Sequence, residues 1–312
     1  MKKIKKIKVS YVMVFVIGIF IARGIYTEIA NKKYSVDFSP DATGNHINIE
    51  KIDSSTLSNE SGKVAIYEIE RPTNITDDKE KALKAFGFTD DYSVDENEER
   101  FFITEGSKTL EVFKNTGGFN YFDDLLTRPE TKIDINTVDN NKLYEKCEDI
   151  LKVMDIQDIS RNSVEPSYIT EMGPNNKPLE FGLLGVIFKR VLDGKNVYGA
   201  DKIMFDINSE GNIASAIITI KNYKKIGDKS VISSKKAINK FKSSKKGYIG
   251  TDDLAATDSK INESALCYWV ESYNKGSQIT KPIYMMKGET LNSEAKNKNI
   301  SNKLHIMTNA VD

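Results

Sequence analysis

The feature that most constrains this chain is an uncharged apolar run that directly follows a cluster of lysines. Five lysines lie between Lys2 and Lys8, and the run from Val9 to Ala22 contains no charged residue. A basic flank before an apolar run is typical of a segment that directs a chain to a membrane and leaves its basic end in the cytoplasm. We therefore expect the residues after Lys33 to lie on the extracytoplasmic side.

The length of this segment bears on whether it stays in the membrane. As a helix, residues 9–22 would be about 21 Å long, which is shorter than the roughly 30 Å hydrocarbon core. Extension through Arg23 to Thr27 makes the length sufficient, because the long Arg23 side chain can reach the outer interface. No Ala-x-Ala cleavage pattern follows the run. The sequence predicts an uncleaved single-pass transmembrane anchor in residues 1–33, with a cleaved signal peptide as the alternative.

Charge excludes one class of partner. The 312 residues have no net charge, but the first 33 carry eight basic residues and one acidic residue, which leaves 37 basic and 44 acidic residues in the remainder. A nucleic-acid-binding domain needs a net basic face to displace counterions from phosphate. We therefore expect no nucleic-acid partner. The remaining length is enough for two small domains.

Apolar periodicity predicts three successive units of a short helix followed by antiparallel strands. The helices are expected to begin at capping residues, which are Thr76 or Asp77 for the first, Asp139 or Asn140 for the second, and Ser233 or Ser234 for the third. We predict an α+β fold, in which an N-terminal transmembrane helix precedes two small domains of antiparallel sheet with helices packed on one face. The predicted segments are the basic flank and anchor (1–33), a polar stalk (34–62), a first α+β domain (63–138), a second α+β domain (139–288) and a mostly disordered tail (289–312).

Familiar catalytic patterns are missing from the sequence. The two histidines, His46 and His305, lie in the polar segments at either end, and no phosphate loop, nucleophile elbow or zinc-binding helix occurs. Ser233 and Lys236 have the Ser-x-x-Lys spacing that lets an amine activate a hydroxyl, as do Ser243 and Lys246. In a segment so rich in lysine, a helix cap beside solvated lysines is the preferred interpretation.

The acidic clusters do not indicate a metal site. Residues 206–211 resemble the first half of a calcium loop, but Ile217 stands at the twelfth position and cannot bind the ion. A hairpin turn is the preferred interpretation. The adjacent carboxylates of Asp123–Asp124 and Asp252–Asp253 are typical of solvated loops. We therefore predict no catalytic, metal-binding or cofactor-binding residue, no cofactor, and no enzymatic activity.

Cysteine usage leaves one alternative open. Cys147 and Cys267 form no Cys-x-x-Cys pair, so neither a zinc site nor a thioredoxin-like site is indicated. Two separately buried thiols are the favoured prediction, although an extracytoplasmic compartment would permit one disulfide between them.

A lysine-rich segment stands out in the second half of the chain. Residues 221–250 contain ten lysines and one aspartate, with all ten lysines between Lys221 and Lys246. Such a segment can contact anionic lipid headgroups, an anionic wall polymer or an acidic partner. A solvated surface is the plainer alternative.

Four stretches in residues 180–288 carry a family resemblance: Val186–Val197, Phe205–Gly211, Val231–Ile238 and Lys281–Tyr284. Their order is a strand, a hairpin, a strand, a helix with Ser-x-x-x-Ala-Ile and a Pro-aliphatic-Tyr strand. It resembles PepSY-like modules and the YycI and YycH accessory proteins of two-component systems. The resemblance implies a non-catalytic extracytoplasmic module. In YycI and YycH proteins such a module restrains a sensor histidine kinase through ectodomain and membrane-helix contacts, and PepSY modules elsewhere resemble protease propeptides.

Two functional hypotheses follow. The first is a membrane-anchored extracytoplasmic regulatory protein that contacts another envelope protein, such as a sensor kinase or a protease. The second is a protease-propeptide-like inhibitor or an envelope enzyme with an unrecognised site. A sugar- or lipid-binding module is a third possibility that would require a concave apolar pocket with convergent polar groups.

Overall fold

The computed structural model describes residues 49–128, 131–173, 178–219, 221–251, 258–271, 278–291 and 303–312. Strands hold 54% of the described residues and helices 18%, so this part of the chain is mainly β structure. The α-helices are α1 (Ile75–Ala85), α2 (Asn140–Val153) and α3 (Ser234–Ser244), and short 3-10 turns lie at Ile49–Lys51 and Ile135–Thr137.

The strands, in chain order, are β1 (Ile52–Asp53), β2 (Gly62–Glu70), β3 (Ser93–Glu96), β4 (Arg100–Glu105), β5 (Lys108–Phe113), β6 (Gly118–Asp123), β7 (Ile133–Asp134), β8 (Ile159–Met172), β9 (Pro178–Leu192), β10 (Lys195–Gly199), β11 (Ile203–Asn208), β12 (Ile213–Thr219), β13 (Asn222–Val231), β14 (Tyr248–Thr251), β15 (Asp258–Val270), β16 (Lys281–Leu291) and β17 (Lys303–Asn309).

One sheet contains fifteen of these strands. Its order is β14-β17-β16-β15-β10-β9-β11-β12-β6-β5-β4-β3, with β1 paired to β15 and with β7 and β8 paired to β9. Most neighbours are antiparallel, but β15 runs parallel to both β1 and β10, and its contact with β10 joins the two halves of the sheet. Strands β2 and β13 form a separate antiparallel pair.

Helices α1 and α2 cover one face of the sheet from β4 to β9. Alternate residues of the strands point into this core, as expected for a half-covered antiparallel sheet. Asp139 caps α2 by accepting a hydrogen bond from the Asn141 backbone amide at 3.0 Å. The core includes Leu83, Phe86, Ile103, Leu110, Phe119, Tyr121, Tyr144, Cys147, Leu151, Phe188, Phe205 and Ile218.

Helix α3 lies against the other end of the sheet. Its buried residues include Ala237, Ile238 and Phe241, and it contacts β17. The Tyr284 hydroxyl of β16 donates a hydrogen bond to the Ile232 carbonyl, just before the helix, at 2.9 Å. Neighbouring residues of β16 therefore point to the opposite face, which α3 does not cover.

The predicted α+β fold class was wrong, because the described residues are 54% strand and 18% helix and no helix among them can span a membrane. Strand β6, from the predicted first domain, pairs with β12 of the predicted second domain, and α1 and α2 share one hydrophobic core. Residues 37–312 form one compact unit. Local apolar patterns locate strands but carry no information on which distant strands pair, so the sequence could not show these contacts.

The transmembrane helix in the same fold prediction is not seen in the described part of the chain. Residues 1–48 lie outside the described part of the chain. Among the residues that are described, no helix combines the length and the apolar character needed to cross a membrane.

Both flanking segments contribute to the sheet. Ile52, in the predicted stalk, is buried and begins β1. In the predicted disordered tail, residues 303–309 form β17, which pairs with β14 on one side and β16 on the other. The apolar residues of β17 alternate with polar ones because only one of its faces meets α3.

Helix α1 begins earlier than predicted. Its N-cap is Asn74, which makes no side-chain capping bond, rather than Thr76 or Asp77. The two acidic residues in its first turn, Asp77 and Asp78, still complement the positive end of the helix dipole. Gly87 follows with a positive φ of 65°, as expected for a residue that ends a helix.

Candidate groove on the uncovered sheet face

A groove of about 610 Å³ lies on the sheet face that α3 leaves uncovered. Its floor comes from β14, β16 and β17, and its walls from β8, β9 and β10. No single segment of the chain contains the site, because it is assembled from six strands. The lining residues are Asn162, Ser163, Glu165, Lys189, Tyr198, Tyr248, Met285, Lys287, Gly288, Lys303, His305 and Met307.

The floor of the groove is apolar at its centre. Met285 of β16 stands directly opposite Met307 of β17, and Met307 stands opposite Tyr248 of β14. Both methionines are half-buried and pack beside the buried pair Cys267 and Ile283. Unbranched methionine side chains adapt to differently shaped partners, so this floor can accept an apolar group.

Basic side chains outnumber acidic ones along the groove. Lys189, Lys287, Lys303 and His305 line it, with Glu165 as the acidic member. Lys287 lies opposite His305 across the strands, and its Nζ pairs with Glu263 at 3.4 Å. The charge distribution favours an anionic ligand.

Lys189 differs from the other groove lysines because its side chain is partly withdrawn from water. Its Nζ lies 4.8 Å from the centre of the Tyr198 ring, a cation–π distance. Burial lowers the pKa of Lys189, and nearby Lys202 adds to this effect, whereas Glu165 and Asp201 oppose it. A desolvated ammonium group of this kind gains most from a bound anion.

A buried carboxylate lies behind this lysine. Asp201, between β10 and β11, is 2% exposed, and its Oδ2 accepts a hydrogen bond from the Tyr223 hydroxyl. Burial raises the pKa of Asp201 to about 6, against the opposing influences of Arg190, Tyr223, Lys221 and Lys189. Burial also lowers the pKa of Lys221. These groups link the β2–β13 pair to the main sheet electrostatically.

Gly199 permits the contact that brings Tyr198 to the groove. Its φ is +97°, and an added Cβ would lie 2.2 Å from the Val270 carbonyl oxygen of the parallel neighbour. No other residue type fits so close a backbone approach. The Ala200 amide donates to the same Val270 carbonyl at 2.9 Å.

Strand β8 forms an irregular edge beside the groove. It pairs with β9, and among the described residues no strand pairs with its other edge. The β8–β9 register shifts at several points, and Pro166 lies within β8. Bulges and proline are typical of edge strands that must not pair with another copy along their whole length.

The Ser-x-x-Lys motifs have structural roles. Ser233 caps α3 by accepting a hydrogen bond from the Lys236 amide at 3.1 Å. The Lys236 ammonium pairs with Asp312 at 2.8 Å, away from the serine hydroxyl. Ser243 donates to the Lys240 carbonyl at 3.0 Å. Neither serine lines the groove.

The acidic motifs form turns. Asn208 Oδ1 accepts from the Glu210 and Asn212 amides at 3.1 and 2.9 Å, which closes the β11–β12 hairpin. Asp123 accepts from the Leu125 amide at 3.2 Å, and Asp124 pairs with Arg128 at 3.5 Å. Asp252, Asp253 and His46 lie outside the described residues.

The two cysteines are free and separately buried. Cys147 lies in α2 within the large core, and Cys267 lies in β15 beneath the groove. Burial raises the pKa of Cys147 to about 12 and that of Cys267 to about 11. Both thiols therefore act as small apolar side chains.

The lysine-rich segment divides into two parts. In β13, Lys224 pairs with Glu70 and Lys225 with Asp228. In α3, lysines hold the flanking chain segments: Lys242 donates to the Ile52 carbonyl at 2.6 Å, and Lys240 to the Val311 carbonyl at 3.4 Å. These four lysines bind carboxylates or carbonyl groups of the protein itself. The predicted contact of this segment with anionic lipid or a wall polymer therefore gains no support.

Among the residues that line the groove, His305 was considered individually in the sequence as a candidate catalytic residue. It falls in the tail that was expected to be mostly disordered. The remaining ones lack a motif because they come from strands far apart in the chain. The alternation around Met285 and Met307 was the one available signal, since it predicts strands with two different faces.

No protein-family model and no curated protein matches the chain. Solved structures do match it. An uncharacterized protein from Eubacterium rectale ATCC 33656 is 12% identical with a TM-score of 0.47, over 90% of this chain and 95% of that chain. The YpeB C-terminal domain from Bacillus megaterium is 12% identical with a TM-score of 0.42, over 75% and 91%. YycH from Bacillus subtilis is 13% identical with a TM-score of 0.41, over 74% and 51%.

The weak resemblance to YycH expected from the sequence is thus confirmed. The aligned region spans about half the length of YycH. With TM-scores below 0.5, these neighbours assign no function to the groove.

Proposed function

We propose that this chain is an extracytoplasmic regulatory protein that acts by binding a polypeptide of the cell envelope and has no catalytic role. The observation that carries the proposal is the groove, in which an adaptable methionine floor lies beside basic side chains. Apolar area and complementary charge together are typical of a recognition surface.

The location is part of the proposal. The lysines between Lys2 and Lys8 and the apolar run of residues 9–22 support delivery of the following chain across the membrane. Protease added to intact spheroplasts should digest residues after position 48 while sparing a cytoplasmic marker. Digestion only after lysis would contradict an extracytoplasmic location.

The partner class follows from the resemblance. YycI and YycH accessory proteins restrain a sensor histidine kinase, so an envelope protein of that kind is the first candidate for this chain. A propeptide-like inhibitor of an envelope protease is the second candidate, because it would use the same groove to hold a polypeptide.

Site-specific crosslinking in cells tests the proposal. A photoreactive amino acid is placed at Tyr248, which is 44% exposed in the groove, and as a control at Leu125, which is 76% exposed in the turn after β6. We expect a discrete adduct with one envelope protein from position 248 and none from position 125.

Identification of the adduct by mass spectrometry then decides between the partner classes. Equal adducts from both positions, or none from position 248, would contradict a recognition groove. Turnover of wall fragments or peptides by the purified full chain would contradict the non-catalytic role.

A further inference from the structure

The ammonium group of Lys189 has no carboxylate in direct contact among the described residues. No carboxylate in this part of the chain forms an ion pair with its Nζ, which instead faces the Tyr198 ring at 4.8 Å. Glu165, on the same wall, favours the charged amine more weakly than burial disfavours it. Because a partly desolvated ammonium is unfavourable without an anion, a carboxylate bound here would be stabilising.

The apolar floor restricts the identity of that anion. Met285 and Met307 face each other at the centre of the groove, with Tyr248 beside them. A phosphate polymer or a lipid headgroup has no compact apolar group to place on this floor. A polypeptide segment with an apolar residue two positions from an acidic one uses both features.

The wall favours an extended segment. The residues of β8 that line the groove are Asn162, Ser163 and Glu165, and they belong to a strand that pairs with β9 along one edge. The bulges and Pro166 of β8 prevent pairing along its whole length, but backbone groups on a short unpaired stretch of edge can still pair with an extended peptide, which is a common way of binding peptides.

We infer that the groove binds an extended acidic segment of the partner polypeptide, with an apolar side chain on Met285 and Met307 and a carboxylate two residues away on Lys189, because alternate residues of an extended chain share a face. This inference rests on the proposed function and specifies the chemistry that the partner presents. Affinity for such a segment should fall as the salt concentration rises, since part of it is electrostatic.

A peptide-binding measurement on the full chain tests this inference. The probe is a fluorescein-labelled peptide of three Leu-Asp-Ser repeats, and the control probe has Leu-Asn-Ser repeats. We expect the aspartate peptide to bind at least tenfold more tightly than the asparagine peptide. Lys189→Met, which keeps the apolar stem and removes the charge, should abolish most of that difference.

Two further variants separate binding from folding. Met285→Asp should weaken binding of the aspartate peptide at least tenfold, because it places a carboxylate on the apolar floor. Lys229→Gln, at an exposed lysine of β13 outside the groove, should leave binding unchanged. Matching circular dichroism spectra and melting temperatures establish that each variant is folded.

Other outcomes would overturn the inference. Equal binding of both peptides would show that the groove does not recognise the carboxylate. Lys189-dependent binding of phosphatidylglycerol vesicles or poly(glycerol phosphate), without binding of the aspartate peptide, would assign the groove to a phosphate-bearing ligand. A partner crosslinked at position 248 without binding of either peptide would overturn this inference and leave the proposed function standing.

Discussion

At the scale of single residues, burial controls the charge of the groups behind the groove. Asp201 is enclosed by Arg190, Lys221 and Lys189, and Tyr223 donates a hydrogen bond to it, yet desolvation outweighs these neighbours and raises the pKa of Asp201 to about 6. Burial thus favours the neutral forms of both Asp201 and Lys221. Removing their charges from water costs more free energy than their mutual attraction provides.

This shift predicts a pH-dependent stability. The pKa of Asp201 is raised from 3.8 to about 6 on folding, so between those values the folded state holds a proton that the unfolded state has lost. The contribution of Asp201 is therefore greatest below pH 4 and is lost as the pH rises to 6. Asp201→Asn should remove a change of about 3 kcal/mol in the free energy of unfolding across this window.

Urea unfolding of both proteins between pH 4 and 7 measures the effect. Several other carboxylates have lowered pKa values, among them Glu105 and Glu171, and their contributions to stability have the opposite dependence on pH. The difference between wild type and variant isolates Asp201. Asp228→Asn, at an exposed site, serves as the control, and parallel curves for wild type and Asp201→Asn would refute the assignment.

At the scale of elements, β17 has two roles, because one of its faces packs in the core and the other lines the groove. It lies between β14 and β16, and its residues alternate between the core under α3 and the groove. Leu304 and Ile306 are fully buried, whereas Lys303 and His305 face the groove. One short strand therefore supplies both packing and part of the site.

Ile306→Ala should destabilise the protein by about 2–5 kcal/mol, because it leaves a cavity in a well-packed core. Lys303→Ala, on the exposed face of the same strand, should change the free energy of unfolding by less than about 0.5 kcal/mol. Chemical denaturation measures both. Equal, small effects would mean that this segment contributes nothing to the folded sheet.

At the scale of the whole molecule, the described residues belong to one compact unit, and the two halves of its large sheet meet where β10 runs beside β15. Tyr198 pairs with Trp269 in this parallel register, and Gly199 allows the close approach. The groove exists because this junction turns the uncovered face of β16 and β17 toward β8 and β9.

A continuous sheet predicts cooperative unfolding. Trp269, the single tryptophan of the chain, reports on the junction by fluorescence, while far-ultraviolet circular dichroism reports on all strands. We expect the two probes to give coincident urea transitions, as for a two-state unit. Separate midpoints would indicate that the two ends of the sheet unfold independently, as two domains would.

The sequence by itself determined the local elements. Asp139 and Ser233, each one of two predicted capping residues, cap their helices, and the hairpins of residues 178–199 and 203–219 lie where turn residues interrupt apolar strands. These features depend on neighbours within a few positions, so that local propensity and periodicity are enough to reveal them.

Only the tertiary structure decided which strands meet and where a ligand can bind. The pairing of β2 with β13, the parallel contact of β10 with β15 and the groove from Asn162 to Met307 all join distant parts of the chain. Strands that are mostly exposed or have an open edge carry little apolar pattern, as β8 and β13 show. Their partners are selected by shared burial and backbone hydrogen bonding across the whole sheet, which no local stretch encodes.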